Sequence, residues 1–163
     1  MNTASQSTQG TQKLRDPATA RILRAYFDLY NEVGWGFLEN VYRRGMVVGL
    51  RRLGAAVRQE VHLPVEYLGE RIGDYYADLV VDDRVIVEIK SADALGPSHR
   101  AQLLNYLKAS RIETGMLLNF GPRPSFARLI VSNRPSLGHP RTTASQNTQQ
   151  HTEEAADKQF PDA

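Results

Sequence analysis

A chain of 163 residues with no cysteine has the length for one domain around one core, and it excludes a disulfide framework, a thiolate metal site and a cysteine nucleophile. The formal charge of +2 is uneven: residues 13–135 carry 18 Lys+Arg against 14 Asp+Glu, and residues 136–163 carry 2 against 4, a mildly basic body compatible with a polyanionic partner. The N-terminal MNTASQSTQGTQ has no apolar run that reads as a signal peptide, and no stretch approaches the ~18 apolar residues of a membrane span, so the expectation is a soluble cytoplasmic protein with no membrane partner.

Residues 1–13 and 134–163 are rich in Ser, Thr and Gln. Such segments cannot bury enough apolar surface to order themselves, and both read as disordered tails. One domain is left, over 14–133. It opens with Asp16-Pro17, an N-cap residue followed by Pro at the first helical position. Ile22, Tyr26, Leu29 and Val33 then recur at helical spacing, which predicts a helix over 17–33. Gly34-Trp35-Gly36 breaks it. A second helix is expected over roughly 36–53, with Leu38, Val41, Tyr42 and Met46 on one face and Gly45 and Gly49 allowing close packing on a sheet.

VRQEVHLPVEY (57–67) alternates and is β-branched, and Pro64 marks it as an edge strand. A turn at 68–70 leads into RIGDYYADLVV (71–81), and Asp82-Asp83 turns into RVIVEIK (84–90). Gly96-Pro97-Ser98 starts a helix over 99–110. TGMLLNF (114–120) reads as a buried strand and FARLIV (126–131) as a last one. The order ααβββαββ implies an α/β (α+β) fold, a mixed central sheet flanked by helices.

The chemistry gathers in DLVVDDRVIVEIK, residues 78–90. Strand residues two apart share a face, so Glu88 and Lys90 project together while Val85, Val87 and Ile89 point to the core. Asp78 lies on the preceding strand. Two carboxylates that converge repel unless a cation lies between them, and Mg²⁺ or Mn²⁺, with oxygen ligands and retained waters, suits such a pair. A lysine beside the ion can hold or deprotonate an attacking water, or neutralise charge on a phosphate. The plainer alternative is a same-face Glu88–Lys90 salt bridge with a solvated Asp78.

Lys90 stands out further because the basic body uses arginine almost throughout: only Lys13, Lys90 and Lys108 are lysines among its 18 cations. Gln102 and Tyr106 share a helix face at i, i+4. Their alternative is sheet packing for Tyr106 and a solvated Gln102. His99, three residues before Gln102, has no second histidine at a ligand spacing and reads as a helix N-terminal residue. Glu39 lies within GFLENVY (36–42), where a solvated helix face is the ordinary reading. Arg43, Arg44, Arg51 and Arg52 follow it, as phosphate contacts or as an exposed face.

Gly36, Glu39 and Tyr42 spell G-x-x-E-x-x-Y. With Asp78, Glu88-Ile89-Lys90 and Gln102-x-x-x-Tyr106, the chain resembles the GxxExxY family of the PD-(D/E)XK nuclease superfamily, from about Ala20 to Val131. The likeness includes YNEVGWGFLENVY, YYADLVV, AQLLNYLKAS and LLNFG.

The resemblance implies a restriction-endonuclease-like core and a Mg²⁺-dependent (or Mn²⁺-dependent) hydrolysis of phosphodiester bonds by metal-activated water, with nucleic acid as partner, DNA ahead of RNA. Asp78 corresponds to the acid of the PD motif, although Ala77 stands where that motif has Pro. Glu88 and Lys90 correspond to the (D/E)XK pair. Asp78, Glu88 and the Ile89 carbonyl would be metal ligands, with Glu39 a further acid at a second ion or a bound water. Gln102 and Tyr106 would position Lys90 or the nucleic-acid backbone. A homodimer through the Tyr- and Arg-bearing helices is compatible with the pattern. Two rival expectations stand beside the enzyme. One is a non-catalytic module on the same fold that binds nucleic acid or a partner protein, since a lone core has no evident means of choosing a target. The other is a structural domain in which the acids and lysine form salt bridges.

Overall fold

The computed structural model describes residues 16–132; the two tails expected at 1–13 and 134–163 lie outside the described residues. Helices α1 (Pro17–Val33) and α2 (Glu39–Arg52) are followed by strands β1 (Val57–Tyr67), β2 (Glu70–Val81) and β3 (Val85–Lys90), helix α3 (Pro97–Ala109), and strands β4 (Thr114–Asn119) and β5 (Ser125–Ile130). The five strands form one sheet in the order β1-β2-β3-β4-β5. β3 and β4 pair in parallel and every other neighbour pair is antiparallel. This is a mixed sheet with flanking helices, an α+β architecture consistent with a restriction-endonuclease-like core. The parallel pair follows from the crossover through α3, since two parallel strands cannot be joined by a tight turn.

Each sheet face buries its own cluster. On one, Ile22 and Tyr26 of α1 and Tyr42, Met46 and Leu50 of α2 pack on Leu79, Val81, Val85, Val87, Ile89, Met116, Leu118 and Phe120. On the other, Leu103, Tyr106 and Leu107 of α3 pack on Val80, Ile86 and Leu117. β3 and β4 are covered on both sides, which is why they read as continuous apolar runs rather than alternating ones. The core strands thereby become a fixed platform for the polar groups at their ends.

Several boundaries differ from the expected ones for local reasons. The second helix begins at Glu39, not 36. Gly36 has φ 108, and the Phe37 N–H donates to the Tyr42 hydroxyl (3.1 Å), so this segment runs outside the helix. Gly45 and Gly49 do not pack on the sheet. A Cβ on Gly45 would lie 2.7 Å from the Leu29 side chain and one on Gly49 3.4 Å from Ala25, so these glycines let α1 approach α2. Tyr67 pairs with Glu70, leaving a two-residue turn, Leu68-Gly69, in which both φ are positive. That is the pattern of a type I′ hairpin. Pro64 lies on β1, an edge strand as its missing N–H requires. Among the described residues no helix is long and apolar enough to cross a membrane.

Candidate functional site

β2 and β3 pair from Val81↔Val85 to Leu79↔Val87 and no further. The next pair in that register would join Asp78 to Glu88. The ladder with β1 skips the same place, passing from Gln59↔Leu79 to Val61↔Ala77. Glu60, the residue left between, has φ 48, a left-handed conformation uncommon for a side chain of this kind. The face alternation breaks with it: Ala77 and Val80 both join the α3-side cluster, which strict alternation forbids. Asp78 therefore sits where the sheet splits, and its carboxylate replaces the missing ladder. The Ile89 N–H donates to Asp78 Oδ2 at 2.8 Å.

This bond ties the acid of β2 to the segment carrying Glu88 and Lys90. Glu88 is 3% exposed. Its Oε1 receives a hydrogen bond from Lys90 Nζ at 2.7 Å, and its Oε2 is buried with no hydrogen-bond partner. Burial first, and then the Asp78 charge, push the Glu88 carboxyl up to about 7 against the pull of Lys90. Burial also opposes the charge on Lys90, but the bond and charge of Glu88, with Glu39 and Asp78, outweigh it and hold the ammonium above its ordinary value. In this arrangement Lys90 is held as the charged partner of Glu88.

Glu39 begins α2, where its charge suits the positive end of the helix. The Ser91 N–H donates to its Oε1 at 3.3 Å, which sets it one residue beyond Lys90 at the mouth of the central strands. Gln102 and Tyr106 bond to each other, Nε2 donating to the hydroxyl at 2.6 Å. Burial, and then the Glu88 charge, raise the Tyr106 hydroxyl. Neither is hydrogen-bonded to Lys90 in the structure, so their arrangement is a braced pair on the α3 side. His99 accepts from the Gly96 N–H at 3.2 Å and closes the start of α3.

Four residues of this neighbourhood carried little signal. Arg43 lies between Asp78 Oδ1 (3.3 Å) and Glu60 Oε1 (3.1 Å), while Arg44, Arg51 and Arg52 are exposed. Arg43 follows Tyr42 directly as one of four arginines the sequence leaves equivalent, and Glu60 lies inside the alternating run VRQEVHLPVEY. Ser91 donates its hydroxyl to the Phe37 carbonyl (3.0 Å). Asn119, fully buried, exchanges two hydrogen bonds with the Ala92 backbone, at 3.0 and 2.9 Å. Its signal was a lone amide inside the apolar run TGMLLNF.

A mixed sheet with two acids and a lysine at the mouth of its central strands defines a nuclease-like scaffold. Residues 16–129 match the family model of the PD-(D/E)XK nuclease superfamily, and the chain belongs to that superfamily. The crystal structure of SSO0001 is similar at 21% identity with a TM-score of 0.46. The match covers 56% of this chain and 48% of that one, so this chain spans about half the length of that protein. Among curated proteins none matches in sequence.

Nucleases of this superfamily generally use divalent metals, and the donor set can be tested for one. Among the described residues no three acidic or histidine side chains are grouped as a ready cation cage. What is present is a two-carboxylate arrangement, and Mg²⁺ is commonly held by one or two carboxylates with waters and substrate phosphates completing its shell. The unpartnered Oε2 of Glu88 fits that demand, since a buried acceptor without a partner is costly.

Proposed function

We propose that the chain is a Mg²⁺- or Mn²⁺-dependent nuclease that hydrolyses phosphodiester bonds of nucleic acid, with DNA as the first candidate. The observation that carries this is the buried, unpartnered Glu88 Oε2 beside Asp78 and Lys90. Asp78 and Glu88 would hold the ion, with the Ile89 carbonyl, and with Glu39 at its outer side. A bound divalent ion would supply Lewis acidity to the phosphate and lower the pKa of a water. Lys90 orients that water and offsets charge on the phosphate oxygens. Gln102 and Tyr106 brace the α3 side of the cleft. The motif Gly36, Glu39, Tyr42 supports reading the chain as a member of the GxxExxY branch, with residues 14–133 as the proposed nuclease-like domain.

A second reading has one observation in its favour: Arg43 already neutralises Asp78 Oδ1, as it would in a module that binds nucleic acid without cutting it. Calorimetric titration of Mn²⁺ into wild type and Asp78→Ala/Glu88→Ala, with cleavage assays on both, separates the two. The nuclease reading expects metal binding lost in the double variant, and cleavage reduced roughly 10²–10⁴-fold in Asp78→Ala and in Lys90→Ala. Cleavage undiminished by Asp78→Ala would mark it as contamination. Nucleic-acid binding indifferent to Mg²⁺ and to Lys90→Ala would favour the module.

A further inference from the structure

A cleft of about 440 Å³ opens beside Asp78, lined by Arg43, Glu60, Tyr76 and Ala77. Its size lies within the roughly 300–1,000 Å³ of small-ligand sites. One wall is Asp78, an acid of the proposed site, so whatever fills the cleft lies beside that acid. Its two other functional walls have complementary chemistry. Arg43 is held by Asp78 and Glu60, yet its side chain stays 25% exposed. A guanidinium has five N–H donors in a rigid fork, so donors remain for a phosphate after both acids are served. Tyr76 is 59% exposed and its ring is stacked on His62, centroids 5.1 Å apart at 29°. His62 is itself paired with Asp74. The tyrosine ring is thereby braced from behind while it lines an open cleft.

An exposed, pre-oriented aromatic ring beside a guanidinium matches one chemical unit, a nucleobase with its phosphate. We infer that the cleft is a subsite for one unpaired nucleotide, its base on Tyr76 and its phosphate on Arg43. The inference rests on the nuclease reading and narrows its substrate to single-stranded or locally opened nucleic acid, because a base inside a duplex is already stacked on both sides and cannot lie on a protein ring. The local fold explains why the cleft exists. Where Glu60 takes its left-handed φ and the Glu60–Asp78 pair is skipped, the β1–β2 hairpin departs from β3, and Tyr76 lies on the departing arm two residues before Asp78.

The test is fluorescence anisotropy with the full chain, Ca²⁺ replacing Mg²⁺ to suppress turnover. The probes are labelled 12-nucleotide oligothymidylate, oligouridylate, the oligothymidylate annealed to oligodeoxyadenylate, and an abasic deoxyribose-phosphate 12-mer. Wild type should bind one of the single strands roughly tenfold more tightly than the abasic chain, the scale of one base on an aromatic ring, and more tightly than the duplex. Tyr76→Ala should remove that tenfold on the base-bearing strand and change nothing on the abasic one. Tyr76→Phe should restore it, and Arg43→Gln should weaken both strands equally. Unchanged thermal melting of Tyr76→Ala would show that folding is intact. Equal binding of the base-bearing strand by wild type and Tyr76→Ala overturns the inference. If Asp78→Ala still abolishes cleavage, the nuclease reading survives that result. Wild type that binds none of the probes and cuts nothing overturns both.

Discussion

Glu88 and Lys90 form a buried ion pair in which one carboxylate oxygen is served and the other is not. For stability alone this is a poor arrangement. Desolvation of both charges consumes most of the Coulombic gain, and apolar residues of similar volume often do as well or better. A pair kept for its charge should be dispensable for folding when both members are replaced. Lys90→Met alone leaves a buried carboxylate unpaired and should lower unfolding free energy by about 3 kcal/mol. Glu88→Leu/Lys90→Met together should return it to within about 1 kcal/mol of wild type, while Mn²⁺ binding disappears. Urea unfolding monitored by circular dichroism measures both. A double variant as unstable as Lys90→Met would mean that the pair holds the fold, as the salt-bridge reading of the sequence has it.

The elements around the pair are fixed at the strand ends, where the chain comes closest to itself. After β3 the chain passes over the end of β4. Asn119 grips Ala92 by both its N–H and its carbonyl, and a Cβ on Gly121 would fall 1.8 Å from the Ala92 oxygen. Gly121→Ala must therefore push Ser91 and Ala92 away, and with them the N–H that holds Glu39. The expected cost is about 1–3 kcal/mol, the range of overpacking in a tight site, with weakened metal binding; chemical denaturation and calorimetry read the two effects. A variant equal to wild type in both would show that the loop is free to move. This approach also marks how far the sequence could be read. Strand and helix periods, the presence of a turn after Tyr67 and the edge proline are local, so the element order was legible, and the same-face spacing of Glu88 and Lys90 was legible with it. The split of the sheet at Glu60 and Asp78 was not, because it comes from a left-handed residue inside an alternating run. Nor was the role of Gly45 and Gly49, since whether a glycine faces a helix or a sheet depends on which layer covers it.

Across the whole molecule, α1 is fastened to the β4–β5 end of the sheet by two tyrosines. The Tyr26 hydroxyl donates to the carbonyls of Asn119 (2.6 Å) and Ser125 (3.2 Å), and Tyr30 reaches those of Gly121 and Pro122. Burial raises the Tyr26 hydroxyl from 10.0 to about 12. The folded state prefers the neutral form, which alone can donate. The contribution of Tyr26 is therefore complete below pH 10, the unfolded value, and is lost as pH rises from there through about 12. That interval corresponds to roughly 2–3 kcal/mol. Tyr26→Phe keeps the ring packing against Phe120 and removes the donor. At pH 8 it should be less stable than wild type by about 1 kcal/mol, the net value of a buried hydrogen bond, with its two carbonyls left short of a partner. As the wild-type phenol is forced to ionise above pH 10, the gap should close and then reverse, because phenylalanine has no proton to lose. Urea midpoints of the two proteins between pH 8 and 12 measure the difference directly, and taking the difference cancels the other tyrosines. A gap that stays constant across this range would mean that the Tyr26 hydroxyl is not held by the β4–β5 carbonyls, and that Tyr26 seats α1 through its ring packing alone.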